Sequence, residues 1–173
     1  MKSSTRFGLA MILVLIVAVG IFVYSKIFGG GVPLNLDNYY VEIPTGSSYE
    51  QVLDSLTENG FVKNEQIFTT LAERMNYKRD PMRSGRYEIK PGWSMIHLIR
   101  HLRGGPQSPV DIILTNERMV ENVAAKASRF IEPDSLDILT LLRDESYLQS
   151  IGYNRDNLMS LFIPNTYEVF WNI

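Results

Sequence analysis

The chain contains no cysteine and only two histidines among its 173 residues. Without cysteine there is no disulfide framework, no thiolate metal site and no cysteine nucleophile. No GxGxxG, Walker A, GxSxG or HExxH pattern occurs, so the usual local signals for dinucleotides, nucleotide phosphates, serine hydrolysis and zinc proteolysis are missing. An excess of positive charge is missing as well. Seventeen basic residues face 19 acidic ones, a net charge of −2, which argues against a nucleic-acid partner. Nor is the chain short of apolar residues. At 45% hydrophobic and 21% charged it has the composition of a folded protein, with length for one domain or two small ones.

Acidic residues are absent before residue 37. Within that start, residues 7–24 read FGLAMILVLIVAVGIFVY and carry no charge. A helix of this length spans roughly 27 Å, close to the hydrocarbon thickness of a bilayer. The following SKIFGGG offers no small-x-small cleavage site. The expectation is a short cytoplasmic N-terminus (1–6), a single transmembrane signal anchor (7–24) and a linker (25–37). Lys2 and Arg6 before the segment, against Lys26 after it, favour the N-terminus inside. This predicts a single-pass protein of the inner (cytoplasmic) membrane, its bulk on the periplasmic or extracytoplasmic side, where a cysteine-free domain is at ease.

The remainder reads as α+β. Val41-Glu42-Ile43 has strand character, Pro44 and Gly46 make a turn, and Ser47 with Glu50 has the spacing of a capping box. Val52, Leu53 and Leu56 then share a helical face that Gly60 ends. A second helix starts at Asn64, with Ile67, Phe68, Leu71, Ala72 and Met75 as its stripe. Residues 87–102 repeat residues 41–56 at an offset of 46, through Glu42/Glu88, Ile43/Ile89, Gly46/Gly92, Ser48/Ser94 and Leu56/Leu102. A fainter third unit places a strand at Asp111–Leu114, a cap at Thr115 or Asn116, and Val120, Val123, Ala124 and Ala127 on one face. A helix over 135–143 follows Pro133, and Tyr167, Val169 and Trp171 alternate like a strand. A domain seldom ends on a bare apolar strand, so the natural sequence is expected to continue past Ile173.

Few residues suggest chemistry. His97 and His101 have metal-ligand spacing, but Arg100 and Arg103 beside them would repel a cation, so a solvated helix face is expected and no metal site. Glu117 and Glu121 lie four apart near a helix start, as cleft carboxylates or as acids favoured by the helix dipole. Pro164, Asn165, Thr166, Tyr167 and Glu168 stand among Phe162, Phe170 and Trp171. Aromatic faces beside amide and carboxylate groups suit a sugar, and a core strand after a Pro-Asn turn is the other reading.

The order of the segments IPTGSSYEQVLDSL, SGRYEIKPGWSMIHLIRHLRGG, ILTNERMVENVA and LFIPNTYEVFW resembles the YceG-like family of endolytic murein transglycosylases (the MltG-like enzymes). The matching elements are Gly85-Arg86-Tyr87-Glu88-Ile89, Leu102-Arg103-Gly104-Gly105 and Pro164-Asn165-Thr166-Tyr167. The resemblance implies a small LysM-like module over 38–105 and the start of a mixed α/β catalytic domain over 109–173. It also implies cleavage of the β-1,4 bond between N-acetylmuramic acid and N-acetylglucosamine in nascent glycan strands. The muramyl C6 hydroxyl takes the place of water, leaving a 1,6-anhydro end and limiting strand length. Peptidoglycan glycan strands, the membrane and the peptidoglycan synthases are the implied partners, and no cofactor is implied.

The chain departs from the family pattern in several places. The family's catalytic glutamate lies in an Ile-x-Glu-x-Glu helix downstream of the Pro-Asp-Thr-Tyr element, and no such helix is in this sequence. Asn165 replaces the motif aspartate, and Met159-Ser160 and Thr115-Asn116 replace Glu-Gly pairs. No catalytic residue is therefore assigned within the chain, which by itself is expected to be inactive. The expected substrate contacts are Pro164, Asn165, Thr166, Tyr167 and Glu168, of which the family motif covers Pro164 to Tyr167. The alternative is a membrane-anchored peptidoglycan-binding or scaffold module without catalysis.

Overall fold

The computed structural model describes residue 8, residues 11–22 and residues 31–173. Residues 11–22 are helical, with exposed apolar side chains from Met11 to Phe22. No helix among the described residues is long and apolar enough to cross a membrane. The single transmembrane helix expected over 7–24 is corrected on that ground, and the rest of that segment lies outside the described residues.

The fold is mixed α/β, with short helices and two two-stranded antiparallel sheets among the described residues. In chain order the elements are β1 (Tyr40–Ile43), α1 (Tyr49–Glu58), α2 (Glu65–Arg74), β2 (Gly85–Glu88), α3 (Met95–Gly104), β3 (Val110–Leu114), α4 (Val120–Ala127), α5 (Ser135–Arg143), α6 (Glu145–Ser150), a 3-10 turn (Leu158–Leu161) and β4 (Asn165–Val169). They fall into two compact units. The first comprises Ser48–Asp80, Ile89–Gly105 and the described part of Met1–Tyr39. The second comprises Tyr40–Ser47, Pro81–Glu88 and Pro106–Ile173.

In the first unit the starts of α1, α2 and α3 are each closed by the side chain before them. Ser48 Oγ accepts from Gln51 N, and Gln51 Oε1 accepts from Ser48 N at 2.8 Å. The capping box thus sits one residue later than the Ser47/Glu50 spacing suggested. Ser47 is spent on the preceding turn, where its hydroxyl donates to Pro44 O at 2.7 Å. Asn64 Oδ1 accepts from Ile67 N at 3.0 Å to start α2, and Ser94 Oγ accepts from His97 N at 3.3 Å to start α3. The turns before α1 and α3 carry Gly46 at φ +81° and Gly92 at φ +76°. The repeat at offset 46 is therefore a repeat of one turn-and-cap geometry. Leu56, Phe61, Phe68, Leu98, Ile99 and Leu102 are fully buried, and burying each large apolar side chain is worth about 1.5–3 kcal/mol. Tyr77 sits edge-on to Tyr49 and Phe68, with centroids 6.3 and 6.1 Å apart.

In the second unit β1 pairs with β2 in the register Val41↔Tyr87 and Ile43↔Gly85, and these four residues are buried. The opposite face carries Arg86, which lies 3.7 Å from the Tyr40 ring centroid and 3.6 Å from Glu42 Oε1. β3 pairs with β4 in the register Ile112↔Tyr167 and Leu114↔Asn165, and α4 packs against both β3 and α5. Ile112, Leu114, Val123 and Ala127 form the core here, with Ile131, Ile138, Met159, Phe162, Tyr167 and Val169 half-buried around it. The start of α4 departs from expectation. Met119 occupies the cap position with no side-chain bond to the helix, because Thr115 binds Glu117 and Lys126 instead.

Candidate functional site

The sequence Pro164–Glu168 enters β4 directly after a proline, whose missing N–H is tolerated at a strand start. Thr166 N donates to Asn165 Oδ1 at 2.9 Å, and Tyr167 OH donates to Ile163 O at 2.7 Å, so the entry is held by its own side chains. Alternation along the strand then divides the candidates. Pro164, Asn165, Thr166 and Glu168 are exposed, whereas Tyr167 is half-buried with its ring against the core of this unit. Glu168 is paired in register with Asp111, two carboxylates on one exposed face.

The neighbouring aromatics do not assemble into one platform. Phe162 joins Tyr167 at a cavity of about 310 Å³, whose walls include Ile112, Ile131, Ile138 and Val169. Phe170 is half exposed. Trp171 is held through its backbone, its carbonyl accepting from Glu132 N at 2.7 Å. The cavity is apolar, so hydroxyl-bearing sugars find no directional partners inside it. The polar groups that suit a glycan lie on the outer side at Thr166 and Glu168, with Asn165 exposed at the strand's start on the Tyr167 side.

The other carboxylates are spoken for. Glu117 has a side chain only 10% exposed, is ion-paired to Lys126 and accepts from Thr115 Oγ1 at 2.8 Å. The Lys126 hydrogen bond, followed by that from Thr115, holds its carboxyl below the ordinary value. Glu121 is also held low, first by its own backbone N–H and then by Arg143, whose Nη2 donates to Oε1 at 2.6 Å. A general acid needs the opposite shift, a carboxyl kept protonated near neutral pH. Neither glutamate is built for that role. The helix-dipole reading fits Glu121, which lies in the first turn of α4, whereas Glu117 precedes the helix and is held by Lys126 and Thr115.

His97 stacks on Trp93 with centroids 4.5 Å apart, and His101 meets the same indole edge-on at 4.8 Å. Among the described residues no group of three or more His, Asp or Glu side chains is placed to hold a metal. Residues without a local sequence signal matter more. Glu132 clamps Thr45 with both oxygens, accepting from Thr45 N at 2.6 Å and from Thr45 Oγ1 at 2.7 Å. Asn172 Nδ2 donates to Ser84 Oγ at 2.9 Å, and Arg86 Nη1 to Pro109 O at 3.0 Å. These bonds tie the turn after β1 to the segment following α4, and the β2 segment to the end of β4 and to the start of β3. Their partners lie 23 to 88 residues apart, beyond the reach of any spacing rule.

Comparison with known proteins gives three findings. A model of the YceG-like family matches residues 41–173. Among solved structures, a yceG-like protein of Listeria monocytogenes is similar at 18% identity and a TM-score of 0.45, over 77% of this chain and 48% of that one. The chain thus spans about half the length of that protein. No curated protein matches the sequence.

Proposed function

The chain belongs to the YceG-like family, and on that membership we propose that it serves lytic transglycosylase chemistry on peptidoglycan in the cell envelope. In this reaction the β-1,4 bond from muramyl C1 to the glucosaminyl O4 breaks. The muramyl C6 oxygen bonds to C1, and its proton ends on the departing O4, so no water is consumed. The contribution proposed for this chain is recognition of the glycan strand. Thr166 and Glu168 would offer hydroxyl and carboxylate partners to sugar hydroxyls at the open face of β4, and Asn165 an amide at the strand's start, flanked by Pro164 and the half-buried Tyr167. The proposal includes a LysM-like role for residues 38–105 and a place beside the synthases that polymerise the strands.

No catalytic acid is assigned. Glu117 and Glu121 are ion-paired and held deprotonated, and this observation favours glycan binding as the activity to look for first. Co-sedimentation of the purified chain with insoluble peptidoglycan tests the reading. Binding that is lost on replacing Thr166 and Glu168 supports it. A chain that stays in the supernatant refutes it. Cleavage is followed separately, by looking for muropeptide products lighter by one water than the hydrolytic ones.

A further inference from the structure

β4 has one partnered side and one open edge. It pairs with β3 along one side. Thr166 N donates to the neighbouring side chain, Asn165 Oδ1, at 2.9 Å, so this N–H points away from β3. Backbone groups alternate in direction along an antiparallel strand, and Thr166 O, Glu168 N and Glu168 O therefore face the same open side. Among the described residues no loop or helix supplies a backbone bond to them. Pro164, Asn165, Thr166 and Glu168 along this edge are exposed. So are the flanking Ile163, at 66%, and Phe170, at 53%.

An open edge is a template for another strand, and the residues along it decide which strand fits. A second copy of β4, running antiparallel about a two-fold axis at Tyr167, matches it position by position. Thr166 falls opposite the partner's Glu168, a hydroxyl donor against a carboxylate, and the two residues exchange both backbone hydrogen bonds. The two-fold axis forms the same pair twice. Beyond the strand this register sets Phe170 against the partner's Pro164, and Ile163 against the partner's Trp171, apolar against apolar. Other registers fit worse. An axis at Glu168 places the two carboxylates directly opposite each other. An axis at Thr166 places Glu168 against the partner's Pro164, which has no N–H to return.

We infer that the chain associates with a second copy of itself through the free edge of β4, Thr166 opposite the partner's Glu168, joining the two β3–β4 sheets into one continuous sheet. The Asn165 side chain gives up the Thr166 N–H to the partner's carbonyl, so one hydrogen bond replaces another. The outer faces of the two copies then lie side by side. The inference stands without the glycan reading, because it uses only the edge and its complementarity to itself.

Sedimentation equilibrium of the full chain over a concentration series tests it through the monomer–dimer constant. The parent chain should dimerise. Thr166→Lys sets an ammonium opposite the partner's Glu168 and should tighten the dimer severalfold, whereas Thr166→Glu opposes two carboxylates and should loosen it severalfold. Leu136→Lys, at an exposed apolar position on α5, should leave the constant unchanged. A second measurement fixes the register. The chain has no cysteine, so the thiol of Tyr167→Cys can pair only with that of another copy. On the axis the two Cα atoms stand about 4.5 Å apart, within disulfide reach, and mild oxidation should give a covalent dimer. Should Tyr167→Cys fail to fold, the exposed Thr166 variants decide the matter. A parent chain that stays monomeric throughout the series overturns the inference. So does a dimer indifferent to the sign of the charge at residue 166, or one that Leu136→Lys dissociates, since association then runs through another surface.

Discussion

Replacing Gly85 by alanine should be among the costliest single-methyl changes in the chain. Gly85 opens β2, is buried opposite Ile43, and has φ +131°, a region that side chains disfavour. A Cβ at this position would lie 2.5 Å from Gln107 Cδ and 2.7 Å from both amide atoms of that side chain. Holding a non-glycine residue in such a conformation costs about 1–3 kcal/mol. Moving Gln107 away also breaks its bond to Ser84 O, 3.2 Å long, which is worth about 1 kcal/mol. Gly85→Ala should therefore lower stability by about 2–4 kcal/mol, read from the urea midpoint of the circular dichroism transition. The two contributions separate in a double-mutant cycle. With Gln107→Ala in place the clash is gone and only the backbone cost remains, giving a coupling of about 1 kcal/mol. A Gly85→Ala protein within about 0.5 kcal/mol of the parent would refute the reasoning, because that lies inside the ordinary scatter of surface changes.

Three further outcomes are expected. Ser48→Ala and Ser94→Ala should each cost about 1 kcal/mol, since each removes the acceptor that closes a helix start; urea titration checks both, and a smaller loss at Ser47→Ala than at Ser48→Ala is not required. Glu132→Ala should cost about 1–2 kcal/mol through two lost bonds to Thr45, and hydrogen exchange should show the Thr45 amide losing protection. Stability should fall in acid with a definite sign. Glu117 and Glu121 are held below the ordinary 4.5, so their contribution is fully present above that pH and is lost as pH drops through the lowered folded values. Lys126→Met should flatten that acid limb in a pH series of urea midpoints, and an unchanged slope would contradict the Glu117 assignment.

What could be read from the sequence was local. The apolar stripes of α1 and α2, the start of α2 at Asn64 and the span of α5 follow from spacing and capping alone, because those contacts close within one or two turns. The offset-46 repeat likewise survives as paired glycines at positive φ and paired serine caps. Where two serines compete, local rules gave no decision. Ser47 and Ser48 both fit a cap, and the turn at Gly46 claims the first. Thr115 has the chemistry of a cap, yet a lysine eleven residues away holds it elsewhere. The short α6 and the 3-10 turn at Leu158–Leu161 carry too little periodicity to be seen in advance. At the candidate site, Pro164 and the alternation through Tyr167 were visible. The division of faces was not, because which side of β4 is covered depends on its register with β3.

Recognition of peptidoglycan is the claim on which the account stands. Its most direct measurement is the fraction of purified chain that sediments with insoluble peptidoglycan, compared with Thr166→Val/Glu168→Gln. The parent chain should sediment, and the β4 variant should lose most of its binding. A parent chain that remains in solution, or a β4 variant that sediments as well as the parent, would contradict it.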